Sequence, residues 1–560
     1  MPIFRFRTPP RDADPEPLAS RKTAAAWFRR LPAVDSIGRH QIVARAIDAA
    51  CRSGGEVELE LVGAIEFLDA ELAADRGRLI TRYVEHAEGS PALAYRIWQA
   101  AYEICQCFIL AYRSLLDRAL GAAADPRWKR ALPRLAARLI HFYGTDAKLR
   151  ALKNEQWIPA KWIELNGVYR RAVDLGIDRA PFDVDPAAAG AMSMTIEHEY
   201  VAVLLTHLIN TGTLVPREID WAAGEVRAWA APLELDDVPR THGGFVVDIA
   251  GKRGLVRRGG DDACAVPRYL DTRPLALQLD RGIAALRRRA AADAAGAGSV
   301  DGERIAILER LRAAVSPEPP AEVPRDPRAD VSEAAAVRIG LAQICAELAP
   351  SDTHNSVIES VPDDVAGPFA ADTPEEVGEP LPAVVGAAFG RQGWRVEDRS
   401  ATGLRIVAPA ASNAGLAPGT LVAVRESRKG GWVLGAVRRV ARPTPDRFEA
   451  GVSVIAARIV AVALHAKRQA REEMGFIVDG VDVSTIGERF DGLYLPPPSR
   501  PDRPLAAKTL VIPSAEYADG RNIILITTRT VYTVAVREPL ERHPDWTWVA
   551  IDIVDRTARE

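Results

Sequence analysis

Several things are missing from this chain, and each absence removes a class of function. Nowhere in its 560 residues does an apolar run reach the ~18–20 residues a membrane span needs, so no transmembrane helix is expected. The opening stretch from Met1 to Ser20 is rich in Pro, Arg and Asp and has no apolar core, unlike a secretory signal. Only five cysteines occur, Cys51, Cys105, Cys107, Cys264 and Cys345. Scattered and odd in number, they fit buried thiols in a reducing compartment, so a cytoplasmic protein is expected. Cys105-Gln-Cys107 has no second Cys or His pair at metal-ligand spacing, and no metal or cofactor is expected. The net charge of -3 supplies no general attraction for nucleic acid. An anionic ligand must therefore be held by a local cluster.

Catalytic signatures are absent too. There is no G-x-x-x-x-G-K-S/T loop, no G-x-S-x-G elbow and no G-x-G-x-x-G after a strand, so an enzyme is not expected. Glu197-His-Glu199 followed by His207 is not the zinc-protease pattern, because the second histidine comes nine residues after His198 instead of four. On a helix that spacing puts the two on nearly opposite faces. Trp157, Trp162 and Tyr169 read as packing aromatics.

What is present is an ordinary globular composition, 48% hydrophobic and 26% charged, on a chain too long for one core. After an arm over 1–19, residues 20–220 show apolar positions recurring at three and four, as in Ile42, Ala46, Ile47 and Val62, Ile65, Leu68, Leu72. That predicts an all-α bundle or array, and no fixed-period repeat marks it as a solenoid. Residues 221–274 form a small β-containing module, from runs such as Gly244-Phe-Val-Val-Asp-Ile249. Asp248-Ile-Ala250 is turn-like there, and Lys252, Arg253, Arg257 and Arg258 make a basic cluster able to hold phosphate or to be a solvated turn. Residues 275–348 are expected to be helical with linkers, ending in a helix from a Ser332 N-cap to Leu348. Ile339 to Gly390 contains no Lys or Arg, and 349–380 is Pro-rich and acidic, as expected of a tether.

Beyond the tether lies the most informative stretch, Gly393 to Val407. Trp394 and Val396, then Leu404 and Ile406, alternate apolar with polar around a turn made by Asp398, Ser400 and Gly403. Short β-branched runs follow at Leu421 to Val424, Trp432 to Val440 and Gly451 to Ile455. Asp398-Arg-Ser400-Ala-Thr-Gly403 fits the D/N-x-S-x-x-G signature, and 381–456 resembles a PilZ domain, a small bacterial β-barrel best known as a cyclic di-GMP receptor. A second match, Asp482-Val-Ser484-Thr-Ile-Gly487, lies ahead of further strands, so 475–555 is a candidate degenerate copy.

The resemblance implies a multidomain α+β protein whose C-terminal part, 381–460 and 461–560, forms antiparallel β-barrels of PilZ type. It also implies a ligand, cyclic di-GMP, with candidate contacts Arg391, Arg395, Asp398, Arg399, Ser400 and Gly403. A carboxylate can accept from a guanine edge, a serine hydroxyl both donates and accepts, and glycine admits close backbone approach. Asp, Ser and Gly also close turns on their own backbone. PilZ receptors use an R-x-x-x-R pair to clamp phosphates and guanines; in the family it lies well before the first strand. Here Arg391/Arg395 and Arg395/Arg399 have that spacing but abut the turn. Three readings follow: a receptor coupling the dinucleotide to a protein partner of the helical region, a PilZ-like adaptor without nucleotide, and an enzyme or scaffold acting through the helical half.

Overall fold

A computed structural model describes residues 17–52, 59–86, 90–122, 124–183, 193–209, 212–239, 244–258, 264–292, 298–318, 328–348, 393–409, 416–426, 431–444, 446–467, 477–478, 481–482, 486–497, 508–526 and 530–558. The acidic tether, Arg391, Ser484 and nearly all of the N-terminal arm lie outside the described residues. The chain is a multidomain α+β protein that divides into two units, Met1–Glu322 and Val323–Glu560.

The first unit opens with α1 (Arg21–Phe28), α2 (Ser36–Arg52), α3 (Leu59–His86), α4 (Pro91–Gly121), α5 (Pro126–Ala151) and α6 (Pro159–Asp174). A two-stranded ribbon, β1 (Phe182–Asp183) and β2 (Ser193–Met194), precedes α7 (Ile196–Ile209) and α8 (Pro216–Ala230). The helices form because their apolar positions line up. Along α4, Ile97, Ile104, Phe108, Tyr112 and Leu115 are all fully buried at spacings of seven, four, four and three. Proline at the first turn of α4, α5, α6 and α8 suits those starts, since no intrahelical donor is lost there.

Polar groups join these helices as well. Asp69 on α3 is buried and accepts from Arg76 Nη2 on the same helix (2.6 Å), Tyr112 OH on α4 (2.7 Å) and Arg138 Nε on α5 (2.8 Å). The Arg76 guanidinium also lies over the rings of Phe108 and Phe142. The small module is a four-stranded antiparallel sheet of β3 (Leu235–Asp236), β4 (Phe245–Asp248), β5 (Val256–Arg257) and β6 (Pro267–Leu270), in the order β3-β6-β4-β5. Two helices, α9 (Arg273–Ala292) and α10 (Gly298–Val315), complete the unit.

The second unit corrects one expectation. Instead of a helix from Ser332 to Leu348, the chain forms β7 (Ala329–Ala334), β8 (Ala336–Ile339) and only a short helix, α11 (Leu341–Glu347). The alanine-rich run suits a helix locally, but β7 pairs with β9 (Arg395–Arg399) and β8 with β11 (Leu421–Arg425), and that pairing outweighs propensity. The expected 381–460 module is therefore part of a seven-stranded antiparallel sheet whose outer strands come from 329–339. Its order is β7-β9-β10-β13-β12-β11-β8, with β10 (Gly403–Pro409), β12 (Val433–Thr444) and β13 (Arg447–Ala456).

A closed six-stranded barrel follows. Its strands are β14 (Val460–Lys467), β17 (Ile486–Leu495), β18 (Thr509–Pro513), β19 (Asn522–Ile526), β20 (Thr530–Arg542) and β21 (Trp546–Ala558). A separate two-residue ribbon, β15 (Ile477–Val478) with β16 (Val481–Asp482), lies between β14 and β17 in sequence. Pairing of β14 with β19 closes the barrel and removes its edges. The inner positions of β14 (Val460, Val462, Leu464) alternate with outer ones, as a half-buried strand requires.

Sheet and barrel share a core of their own. Ile344, Cys345 and Leu348 of the α11 segment pack with Leu421, Trp432 and Leu434 of the sheet and with Leu493, Val511, Trp546 and Trp548 of the barrel. Trp546 Nε1 donates to Gly419 O (2.9 Å), and Arg438 on β12 forms a forked pair with Glu541 on β20.

Candidate functional site

The motif turn joins β9 to β10. Ser400 N donates to Gly403 O (2.8 Å), with the Ser400 hydroxyl 3.4 Å from the same oxygen, and Val454 N donates to Thr402 O (3.0 Å) to tie the turn to β13. A Cβ on Gly403 would lie 3.2 Å from Val452 O, so the glycine permits a close strand approach. The register slips once. Arg405 faces Asp398 and Ile406 faces Val396, which leaves Glu397 as the extra residue of a β-bulge.

The bulge brings both carboxylates to one arginine. Arg405 Nε lies 2.7 Å from Asp398 Oδ2, at ion-pair range without hydrogen-bond alignment, and Arg405 Nη2 is 3.2 Å from Glu397 Oε2. Arg447 binds Glu397 (2.8 Å) and Glu449 (2.8 Å) on β13. On its other side Asp398 accepts from Arg328 Nη1 (3.2 Å), the residue immediately before β7. Asp398 is only 6% exposed, whereas the Arg328 side chain is half exposed. Three arginines and three carboxylates thus form a chain of alternating charge over β9, β10 and β13 and the residue that leads into β7.

The other expected contacts do not join this group. Arg395 donates to Ser332 O (2.9 Å) and Ser332 Oγ (2.6 Å) on β7. Arg399 pairs with Glu426 at the end of β11 (2.8 Å). The structure thus brings Asp398 together with Arg328 and Arg405, and sends Arg395 and Arg399 to separate partners. Sequence reasoning missed Arg328 and Arg405. The signal for the first was Pro324-Arg-Asp-Pro-Arg328 directly ahead of a strand, hidden because that strand was read as helix. In the second motif, Gly487 is explained by packing, since a Cβ there would sit 2.5 Å from Ala466 O on β14.

Residues of the helical unit that resemble a metal set are occupied otherwise. Glu197 accepts from Tyr169 OH (3.0 Å), Arg179 Nε (3.2 Å) and Leu235 N (3.3 Å). His207 is wedged between the rings of Trp157 (4.4 Å) and Trp162 (4.5 Å). Arg227 Nη2 lies 2.9 Å from Glu199 and also contacts Nδ1 of His141, which must then be an acceptor, leaving the imidazole neutral. Among the described residues no group of three His, Cys, Asp or Glu is arranged to hold a metal, and no helix is long and apolar enough to cross a membrane.

These histidines predict an acid response. Burial, with Arg227 and Arg138 nearby, pushes His141 down to about 4, and burial pushes His207 down to about 3. Between pH 6.5 and 4 the unfolded chain binds protons at these positions and the folded chain does not. Stability must therefore fall as pH falls, by up to about 1.4 kcal/mol per pH unit for each histidine. Urea unfolding of the helical unit at pH 7, 6 and 5 should show this slope, and His207→Leu should reduce it. A midpoint independent of pH over this range is incompatible with buried neutral histidines.

No curated protein matches the chain. Residues 22–240, covering α1 through α8 and the start of the four-stranded sheet, match the family model described as cyclic-di-GMP receptor FimW, N-terminal domain.

Proposed function

We propose that this protein is a cyclic di-GMP receptor in which the seven-stranded sheet is a PilZ-like ligand-binding module and the helical unit engages a protein partner. The observation that carries the reading is the pairing of Arg328 with Asp398, on a chain whose helical part matches a cyclic di-GMP receptor family. In PilZ domains the arginine clamp precedes the first strand of the module. Arg328 precedes β7 here, with Arg325 three residues earlier, one short of the family's spacing. Arg328, Asp398 and the Ser400 to Gly403 turn are the proposed primary contacts, with Arg391, Arg395 and Arg399 as candidates for the outer phosphates and guanines. The arginine pairs are half exposed and therefore weak, so a phosphate can replace a carboxylate as partner at little cost.

Titration calorimetry with cyclic di-GMP, using GTP and cyclic AMP as controls, tests the reading. Selective binding at micromolar or lower concentration is expected. Silence at high ligand concentration refutes direct binding and leaves the adaptor reading, in which Asp398 serves only the ion-pair chain.

A further inference from the structure

We infer that the helical unit carries a separate anion site, a recess beside β4 and β5 that takes a phosphate group. The recess is about 200 Å³ and is lined by Val246, Asp248, Gly251, Lys252, Arg253, Gly254 and their neighbours. Pockets for whole drug-sized ligands run to roughly 300–1,000 Å³, so this one suits a phosphate head group and not an enclosed dinucleotide.

Its loop is pinned from behind. Asn166 on α6 is 1% exposed. Its Nδ2 lies within hydrogen-bond distance of three carbonyls, Asp248 O (3.2 Å), Gly251 O (3.0 Å) and Arg253 O (3.3 Å), while Oδ1 accepts from Tyr200 OH (2.7 Å). Three carbonyls of one loop converge on a single buried amide, so the loop is held in one conformation with those oxygens facing inward. Gly254 lets it sit against the helices, because a Cβ there would come within 2.3 Å of the Trp162 ring.

The charges then sort themselves. Arg257 is consumed, donating to the Ala314, Ser316 and Glu318 carbonyls at and just beyond the end of α10. Arg258 lies over Tyr269. The Asp248 carboxylate accepts from three backbone amides, Ala250 N, Ala265 N and Val266 N, each at 3.0 Å. Lys252 and Arg253 remain, exposed and with no carboxylate partner among the described residues. A solvated turn needs neither a fixed backbone nor a recess. Two unpaired cations beside a preorganised cavity are what phosphate recognition uses. This site is distinct from the one proposed around Asp398 and does not depend on it.

The test is calorimetric titration of the full chain at low salt with inorganic pyrophosphate and with GMP, on the parent protein, K252A/R253A, K252R/R253K and Arg312→Ala. Pyrophosphate binding should weaken at least tenfold in K252A/R253A, recover to within about threefold in K252R/R253K, and be unchanged in Arg312→Ala, which lies in neither proposed site. GMP binding no tighter than pyrophosphate identifies phosphate alone as the recognised group; tighter GMP binding identifies a nucleotide. Equal pyrophosphate affinity in the parent and K252A/R253A, or no binding by the parent at millimolar concentration, overturns the inference. Silence towards cyclic di-GMP with pyrophosphate binding intact would sink only the receptor reading.

Discussion

Asp69→Ala is expected to destabilise the helical unit by about 3–5 kcal/mol, the cost of breaking a buried ion pair from one side. Burial alone would push the Asp69 carboxyl up, but the charges of Arg138 and Arg76 outweigh this and hold it below the usual range. The substitution leaves both guanidinium groups buried beside aromatic rings without their counter-ion, and strands the Tyr112 hydroxyl. The contact ties α3, α4 and α5 together, so the loss falls on the unit's central packing. Because the chain has two units, its unfolding need not be two-state, and calorimetry should assign the shift to one transition. A fall of roughly 5–8 °C is expected for a unit that runs from Met1 to Glu322. Arg312→Ala, which breaks the more exposed pair with Asp280, should change stability by no more than about 0.5 kcal/mol. If the two variants behave alike, Asp69 does not organise the bundle.

Arg328→Ala should weaken cyclic di-GMP binding by at least tenfold, and by about a hundredfold if it makes a bidentate phosphate contact. The thermal midpoint of the free protein should barely move, because the pair with Asp398 is half exposed on the arginine side. Asp398→Ala should remove binding and also cost stability, since Arg405 loses one of its carboxylate partners within the sheet. Arg395→Ala and Arg399→Ala should have smaller effects on affinity, as their guanidinium groups are committed to Ser332 and Glu426. Affinities measured by calorimetry on the four variants rank the residues. If Arg395→Ala proves more damaging than Arg328→Ala, the ligand lies at the Arg395 and Ser332 end of the β7–β9 ladder, not at the Asp398 pair.

Local patterns were legible in proportion to how local their causes are. The helices of the first unit announce themselves because a stripe at three and four must be buried, whatever it packs against. The β9–β10 hairpin reads directly from alternation around Asp398, Ser400 and Gly403. Strands β7 and β8 do not, because Ala-rich edge strands have no strong preference of their own and acquire one only by pairing with β9 and β11. The candidate site was half legible for the same reason. Asp398 and Ser400 lie in a recognisable motif, while Arg328 reaches Asp398 across 70 positions of sequence.

The sequence by itself determined the α-then-β order of the chain and the turn that carries the motif, both of which follow from periodicity and residue type. Tertiary structure alone decided which arginine meets Asp398, which basic residues of the 252–258 cluster are spent on carbonyls and rings, and which two strands, β14 and β19, close the last barrel. These depend on charges and backbone donors brought together from distant segments. An arginine's partner is chosen by the strand laid beside it, and no window of neighbouring residues contains that choice.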